Sequence, residues 1–145
     1  MNLFPTINLP TIATPQSSNE NKFVRSPKFD LLTGDFVLDS SGRMILADER
    51  ESFESWCLKV CQTERNTRLA YSDKIGVELE NALKLPTPEA AKSAIIRTLT
   101  EALMIHPLTE AIKNFSFGGG GDELRVTFDV QSKIFDEPIS ISVTY

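Results

Sequence analysis

The sequence has no excess of positive charge and no long apolar run. Its formal net charge is -5 and its pI is about 4.9. It therefore lacks the basic surface from which nucleic-acid binders, and proteins that adhere to anionic membranes, gain most of their affinity. No stretch approaches the roughly 20 apolar residues of a membrane-spanning helix, and Met1–Pro5 does not resemble a secretory signal. We expect a protein made in a cytoplasm that binds neither nucleic acid nor membranes.

Residue types that carry catalysis or bind metals are also scarce. The only histidine is His106, and the only cysteines are Cys57 and Cys61, too few for a disulfide framework or a metal site. Their i, i+4 spacing in a helical segment predicts thiols buried in the core. His106 precedes a proline, so we expect a helix-terminal histidine rather than a general base. Acids and a strand follow Gly118–Gly121, which predicts a hairpin tip and not a phosphate-binding loop. We expect no cofactor, no metal and no enzymatic activity.

Residues 1–27 differ in composition from the rest of the chain. Four prolines interrupt a segment rich in Asn, Ser and Thr, which excludes a regular element of useful length. A disordered leader and an extended arm that becomes ordered on a partner both fit this pattern. A plain flexible tail would not need so many apolar side chains, and we assign 1–27 as an extended arm. Its apolar residues are Leu3, Phe4, Ile7, Leu9 and Ile12.

Residues 28–145 are expected to form one α+β domain, with helices packed on a small, mainly antiparallel sheet. Two apolar runs around Asp39–Gly42 predict a β-hairpin between Phe29 and Ala47. Helical periodicity from about Glu49 predicts an amphipathic helix. A second helix should begin after Thr87, with Pro88 at its first position, and end near His106. Strict alternation over 124–130 and 139–145 predicts two half-buried strands.

Glu64 breaks the pattern of the first helix. It follows Cys61 on the apolar stripe, near the helix C-terminus, where burial and the helix dipole both disfavour a negative charge. We therefore expect a cationic partner, with Arg65 and Arg68 as the nearby candidates. Such departures from local rules tend to mark functional sites.

Several motifs, taken in order, resemble those of the small baseplate wedge proteins of contractile-tailed phages. The branch found in defective phages and tail-like particles of Gram-positive bacteria is the most similar, and the type VI secretion baseplate component is related. The motifs are Leu3-Phe4-Pro5, Phe29 to Phe36, Thr63-Glu64-Arg65, Tyr71, Ile75-Gly76-Val77-Glu78-Leu79, Glu101-Ala102-Leu103 and Phe115 to Val130.

The resemblance implies a fold shared with the inner domain of tail sheath proteins. It implies a structural role in the baseplate, linking the inner baseplate to the first sheath ring. The implied partners are the sheath protein, the other wedge subunits and the inner hub or tube-initiating proteins, with six copies in each baseplate.

Two partner-binding hypotheses and one alternative function follow. An exposed strand edge can add strands from another subunit, so the last strand, with Ile139, Ile141 and Val143, is expected to join sheath strands. We expect deletion of residues 138–145 to leave a folded domain that no longer nucleates the sheath. Glu64, Arg65 and Arg68, with Tyr71 and Gly76 of the same motif, are the candidate contact with wedge subunits. The alternative is a tail-associated peptidoglycan hydrolase that uses Glu64 as its acid.

Overall fold

The computed structural model of the protein describes residues 23–30 and 32–145. The arm residues Leu3, Phe4, Ile7 and Leu9 lie outside this part of the chain. The described residues form three helices and two small antiparallel sheets, which confirms the predicted α+β class. The elements are β1 (Phe29–Asp30), β2 (Asp35–Phe36), α1 (Glu49–Gln62), α2 (Leu79–Leu83), α3 (Pro88–Met104), β3 (Thr109–Gly118), β4 (Arg125–Ser132) and β5 (Ile139–Thr144).

Helix α1 begins at a capping box. The Asp48 side chain accepts a hydrogen bond from the Glu51 N–H at 2.8 Å, and the Glu51 carboxylate accepts the Asp48 N–H at 3.2 Å. Two orphan donors of the first turn are satisfied in this way. The predicted stripe is confirmed, because its members at i, i+4, i+7 and i+8 are buried while Trp56 is half-buried. The buried members are Phe53, Cys57, Val60 and Cys61.

Helix α3 begins and ends close to the predicted positions. The Thr87 hydroxyl accepts the Ala90 N–H at 3.3 Å, and Pro88 is the first helical residue. The helix ends at Met104, shortly before Pro107. On its buried face, the Thr98 hydroxyl accepts the Glu78 N–H at 2.8 Å. This bond ties the start of the short helix α2 to α3.

The three-stranded sheet is an antiparallel meander in the order β3-β4-β5. The predicted alternation is confirmed in β4 and β5, where every second side chain is buried. Helices α1 and α3 pack on the buried face. The opposite face carries short polar side chains such as Ser140 and Ser142. The inward side chains are Val126, Phe128, Val130, Ile139, Ile141 and Val143.

Residues 23–47 form a second, smaller layer, which we call the hairpin layer. Strand β1 pairs with β2, and Phe29 stands opposite Phe36 with ring centroids 5.4 Å apart. The predicted turn lies where the sequence places it, because the Asp39 N–H donates to Arg43 O at 2.8 Å. The flanking segments pair through isolated bridges rather than long strands.

Phe23, the first described residue, is packed against the core. This ring is buried and meets Phe53 edge to face at 5.5 Å. The Ser26 N–H donates to the buried Ser52 hydroxyl at 3.0 Å, and Arg25 Nε donates to Ala47 O at 2.7 Å. Residues 23–27, which we assigned to the arm, therefore lie against α1 and the end of the hairpin layer.

Candidate partner-binding surfaces

Residues 66–75 form a loop whose two ends are fastened together; we call it loop 66–75. The Val77 N–H donates to Thr63 O at 2.9 Å, and the Arg65 N–H donates to Val77 O at 2.8 Å. The Arg65 guanidinium donates to Gly76 O at 3.1 and 3.2 Å and pairs with Glu78 at 3.2 Å. Arg65 is a largely buried clamp, with only 16% of its side chain exposed. Arg65 and Gly76, which the sequence analysis assigned to a partner contact, both close the loop in the structure.

Glu64 does not occupy the position that the helical stripe predicts. Helix α1 ends at Gln62, so Glu64 leaves the stripe and forms a parallel bridge with Val77. Its carboxylate accepts the Leu79 N–H at 3.3 Å, at the first residue of α2. The expected ion pair with Arg65 or Arg68 is wrong: Arg65 pairs with Glu78. The physical reason is that the backbone amide at the start of α2 satisfies the carboxylate without a cation.

Loop 66–75 presents an apolar tip to solvent. The Leu69 side chain is fully exposed, and Tyr71 is 39% exposed. Arg68 is exposed beside them, and within residues 23–30 and 32–145 it forms no ion pair. An exposed leucine and aromatic beside a free guanidinium have the composition that protein interfaces favour. Of the predicted contact residues, Arg68 and Tyr71 are therefore available to a partner, while Glu64 and Arg65 hold the loop.

Strand β5 has an outer edge that no described backbone group pairs with. Leu124 and Tyr145 exchange both backbone hydrogen bonds, at 3.1 and 2.9 Å. Because bonded and non-bonded pairs alternate in an antiparallel ladder, the continuous register directs the amides of Ile139, Ile141 and Val143 toward β4. The amides and carbonyls of Ser140, Ser142 and Thr144 therefore point outward.

The side chains of the residues predicted to bind a partner through the last strand do not point toward this edge. Ile139, Ile141 and Val143 are at most 3% exposed and fill the core beneath α1. They position the strand, and only backbone groups are left to meet a partner. The expectation that the domain folds without this strand conflicts with this packing, because deletion removes three core side chains.

The hairpin layer carries an exposed apolar face that the sequence analysis missed. Leu38 and Met44 lie opposite each other and are 54% and 58% exposed, and Leu46 is similarly exposed. The sequence does contain a signal for this exposed apolar face. The runs Phe36-Val37-Leu38 and Met44-Ile45-Leu46 are apolar at consecutive positions, which is typical of strands covered on both faces.

His106 is engaged by the core rather than poised for acid–base chemistry. Its ring lies 4.9 Å from Trp56 and 5.1 Å from Phe23, centroid to centroid. Nδ1 accepts the Leu108 N–H at 3.1 Å. Burial lowers the pKa of this imidazole, so the neutral form is the stable one. As expected from the sequence, His106 follows the end of α3, where its N–H donates to Leu103 O.

The two cysteines are buried free thiols, as predicted. Burial raises the pKa of Cys57, and it raises the pKa of Cys61 to about 12. Neither thiol is ionised at neutral pH, and the thiolate is the nucleophilic and metal-binding form. Both act as small apolar side chains. The Tyr145 hydroxyl, at the end of β5, donates to Cys61 O at 3.0 Å and fastens the strand to α1.

Clusters of metal-ligating side chains are not found in the described part of the chain. The glycine run forms the turn between β3 and β4, as predicted. Among residues 23–30 and 32–145, no helix has the length and apolar character needed to cross a membrane.

Comparison with known protein families identifies the family of this chain. The profile of the contractile injection system sheath initiators matches residues 25–134. The chain is a member of the sheath-initiator family. The match covers the hairpin layer from Arg25 onward, the three described helices, β3 and β4. No individual curated protein matches the chain significantly.

Family membership confirms the resemblance to baseplate proteins of contractile tails that the motifs indicated. A sheath initiator is a structural component of a contractile injection system, and its role implies contact with sheath and baseplate proteins. Within residues 23–30 and 32–145, the tip of loop 66–75, the outer edge of β5 and the apolar face of the hairpin layer are exposed.

Proposed function

We propose that this sheath initiator links the inner baseplate to the first sheath ring and starts the sheath by sharing a strand edge. The observation that carries this proposal is the outer edge of β5, which no backbone group of residues 23–30 and 32–145 pairs with. Three outward-facing residues, Ser140, Ser142 and Thr144, offer backbone donors and acceptors in register for an added strand. Main-chain pairing of this kind gives affinity without requiring particular side chains.

The core beneath β5 holds the strand in a fixed conformation. Ile139, Ile141 and Val143 are anchored against α1, and Tyr145 is bonded to the end of that helix. A strand held in this way loses little conformational freedom when it pairs, which lowers the entropic cost of association. Strand β5 follows the region matched by the family profile, so the proposal rests on the geometry of this chain.

The wedge subunits are proposed to meet the chain elsewhere. The exposed tip of loop 66–75, with Arg68, Leu69 and Tyr71, is the surface we assign to them. The inner hub or tube-initiating proteins are a further partner, and six copies are expected in each baseplate. Assembly in the bacterial cytoplasm and final residence in the baseplate belong to the same proposal.

The proposal includes no enzymatic activity. Glu64, the acid of the alternative hydrolase hypothesis, accepts a backbone N–H of α2. A glycosidase of that kind needs a second placed carboxylate and a raised pKa on the acid. A suspension of cell walls treated with the purified chain should keep its turbidity, and clearing would favour the hydrolase.

A proline on the outer edge of β5 tests strand sharing. Ser142→Pro removes the outward N–H and places the ring in the path of an added strand, while the β4 ladder is kept because this N–H points away from it. In cells that lack the native copy, we expect this variant to yield few sheathed particles by electron microscopy.

Ser142→Ala is the matched control. It loses the same side-chain contact with Thr127 but keeps the backbone N–H, so it should support normal sheaths. Thermal unfolding of both purified variants checks that each is folded. Full-length sheaths in normal number with a folded Ser142→Pro variant would show that strand sharing at β5 is wrong.

A further inference from the structure

The three-stranded sheet has a second edge, at β3, which differs in regularity from the edge at β5. Within residues 23–30 and 32–145, β3 and β5 are the outer strands on either side of β4. Strand β5 pairs with β4 in one continuous register from Ile139 to Val143 and Thr144. Strand β3 is longer, with 10 residues, but its register with β4 shifts twice. The longer edge is therefore the less regular one.

The second of these shifts is a β-bulge at Asn114. Two residues of β3, Asn114 and Phe115, stand opposite a single residue of β4, Phe128. Asn114 has a φ of +57°, in the left-handed region that few residues other than glycine adopt and that asparagine tolerates better than most. An extra residue in this conformation interrupts the alternation of backbone donors and acceptors along the strand and bends the strand locally.

Contacts on both faces of the sheet hold the bulge in place. On the outer face, the Asn114 side-chain amide donates to Asp129 Oδ2 at 2.8 Å, and Asp129 Oδ1 accepts the Ser140 hydroxyl of β5. On the core face, the Phe115 ring stacks on Phe128 with ring centroids 5.3 Å apart. The bulge is thus fixed by contacts that involve all three strands of the sheet.

The bulge leaves β3 only short regular stretches. Pairing with β4 is uninterrupted over 111–113 and again over 116–118, whereas β5 is regular over its full length of 6 residues. Lys113, next to the bulge, is exposed. Short regular stretches, bulges and exposed lysines are the features by which natural sheet edges resist the addition of strands. Strand β3 combines these features.

We propose that the Asn114 bulge prevents strand addition at β3, so that the sheet takes up a sheath strand at β5 alone. The inference rests on the proposed strand sharing and adds a direction to it, because each copy extends its sheet at one edge only. It also limits association between copies of the chain. Two copies can pair through their β5 edges into a closed dimer, but a chain with one accepting edge cannot form an open-ended series.

Deletion of Asn114 tests this inference directly, because it removes only the extra residue. Phe115 then stands opposite Phe128, and Lys113 keeps its partner in β4, so the inward and outward alternation of β3 is retained. With two regular edges, the β3 edge of one copy can pair with the β5 edge of the next. We expect light scattering to show a mass that rises with concentration to about four times that of the monomer or more. The native chain should not exceed about twice the monomer mass.

Two further variants serve as controls. Asn114→Gly keeps the extra residue in a conformation that glycine adopts readily, so its mass should stay at or below that of a dimer. Ser142→Pro, added to the deletion, blocks the β5 edge and should reduce the series to dimers that pair through β3. Thermal unfolding shows which of the chains are folded.

Two results would overturn the inference. A folded deletion variant that stays at or below the dimer mass would show that the bulge does not protect β3. Native oligomers larger than a dimer that dissociate in the Ser142→Pro variant would show the same without any deletion, since such oligomers need a second accepting edge. Strand sharing itself is tested separately, by the sheathing of particles that carry Ser142→Pro.

Discussion

At the scale of single residues, Gly76 decides how loop 66–75 closes. Its φ is +104°, a backbone region that favours glycine. An added Cβ would lie 2.6 Å from Thr63 O and 3.1 Å from Arg65 N, both backbone atoms of the facing segment. The same carbonyl and amide form the bridge with Val77. A side chain at this position must therefore push the two ends of the loop apart.

Gly76→Ala should lower the free energy of unfolding by about 3 kcal/mol, since positive φ and the backbone clash both oppose it. Urea unfolding of the purified chain measures this loss. Gly42→Ala is the control, because Gly42 also has positive φ (+75°) but nothing lies within 4 Å of its added Cβ. It should cost about 1 kcal/mol. Equal losses at the two positions would show that the close approach at Gly76 is unimportant.

His106 should make stability depend on pH. Folding lowers its pKa from the ordinary 6.5 through burial. Above that value the imidazole is neutral in both states. As pH falls below it, the unfolded chain binds a proton that the folded chain does not, so the free energy of unfolding decreases. The decrease ends once the pH has passed the lower pKa of the folded state.

Unfolding curves between about pH 7.5 and pH 5, where histidine titrates and most carboxylates do not, test this expectation. The His106→Gln variant should lose most of the slope seen in the native chain over that window. An identical slope in the two chains would assign the pH dependence to other groups.

At the scale of elements, the helices and strands that were predicted correctly are those encoded by patterns within their own segments. Helices α1 and α3 were predicted because their caps and apolar stripes are encoded within each segment. Strands β4 and β5 were predicted because their alternation is strict. The end of α1 at Gln62 was not predicted, because the spacing of the apolar stripe continues to Glu64. In the structure Glu64 instead accepts a hydrogen bond from Leu79, fifteen positions later. The exposed face of the hairpin layer was missed because continuous apolar runs are also typical of buried strands.

Loop 66–75 is the element that we assign to wedge contacts, and its tip allows a clean test. Leu69 is fully exposed, so Leu69→Asp should change stability by no more than about 0.5 kcal/mol. It should weaken binding to wedge subunits in a pull-down, because a charge replaces an apolar contact. Ser93→Asp, on the exposed side of α3, adds the same charge elsewhere and should bind normally. Unchanged binding by Leu69→Asp would remove the loop tip from the wedge contact.

At the scale of the whole molecule, the layer of the three-stranded sheet and its helices exposes a different kind of surface from the hairpin layer. The meander and the two long helices bury the core and leave the outer edge of β5 unpaired by described residues. The hairpin layer and loop 66–75 expose apolar side chains that a protein acting alone would have little reason to keep. This division fits the family to which the chain belongs, because the role of a sheath initiator implies contact with sheath and baseplate proteins.

Removal of the protein from cells that make the particles tests the central claim most directly. Particles from such cells are examined by electron microscopy, with the native chain supplied from a plasmid as the control. If the chain starts the sheath, its absence should leave tails or tubes without sheath, and the plasmid copy should restore sheathed particles. Full-length sheaths in normal number without the protein would contradict a role in sheath initiation.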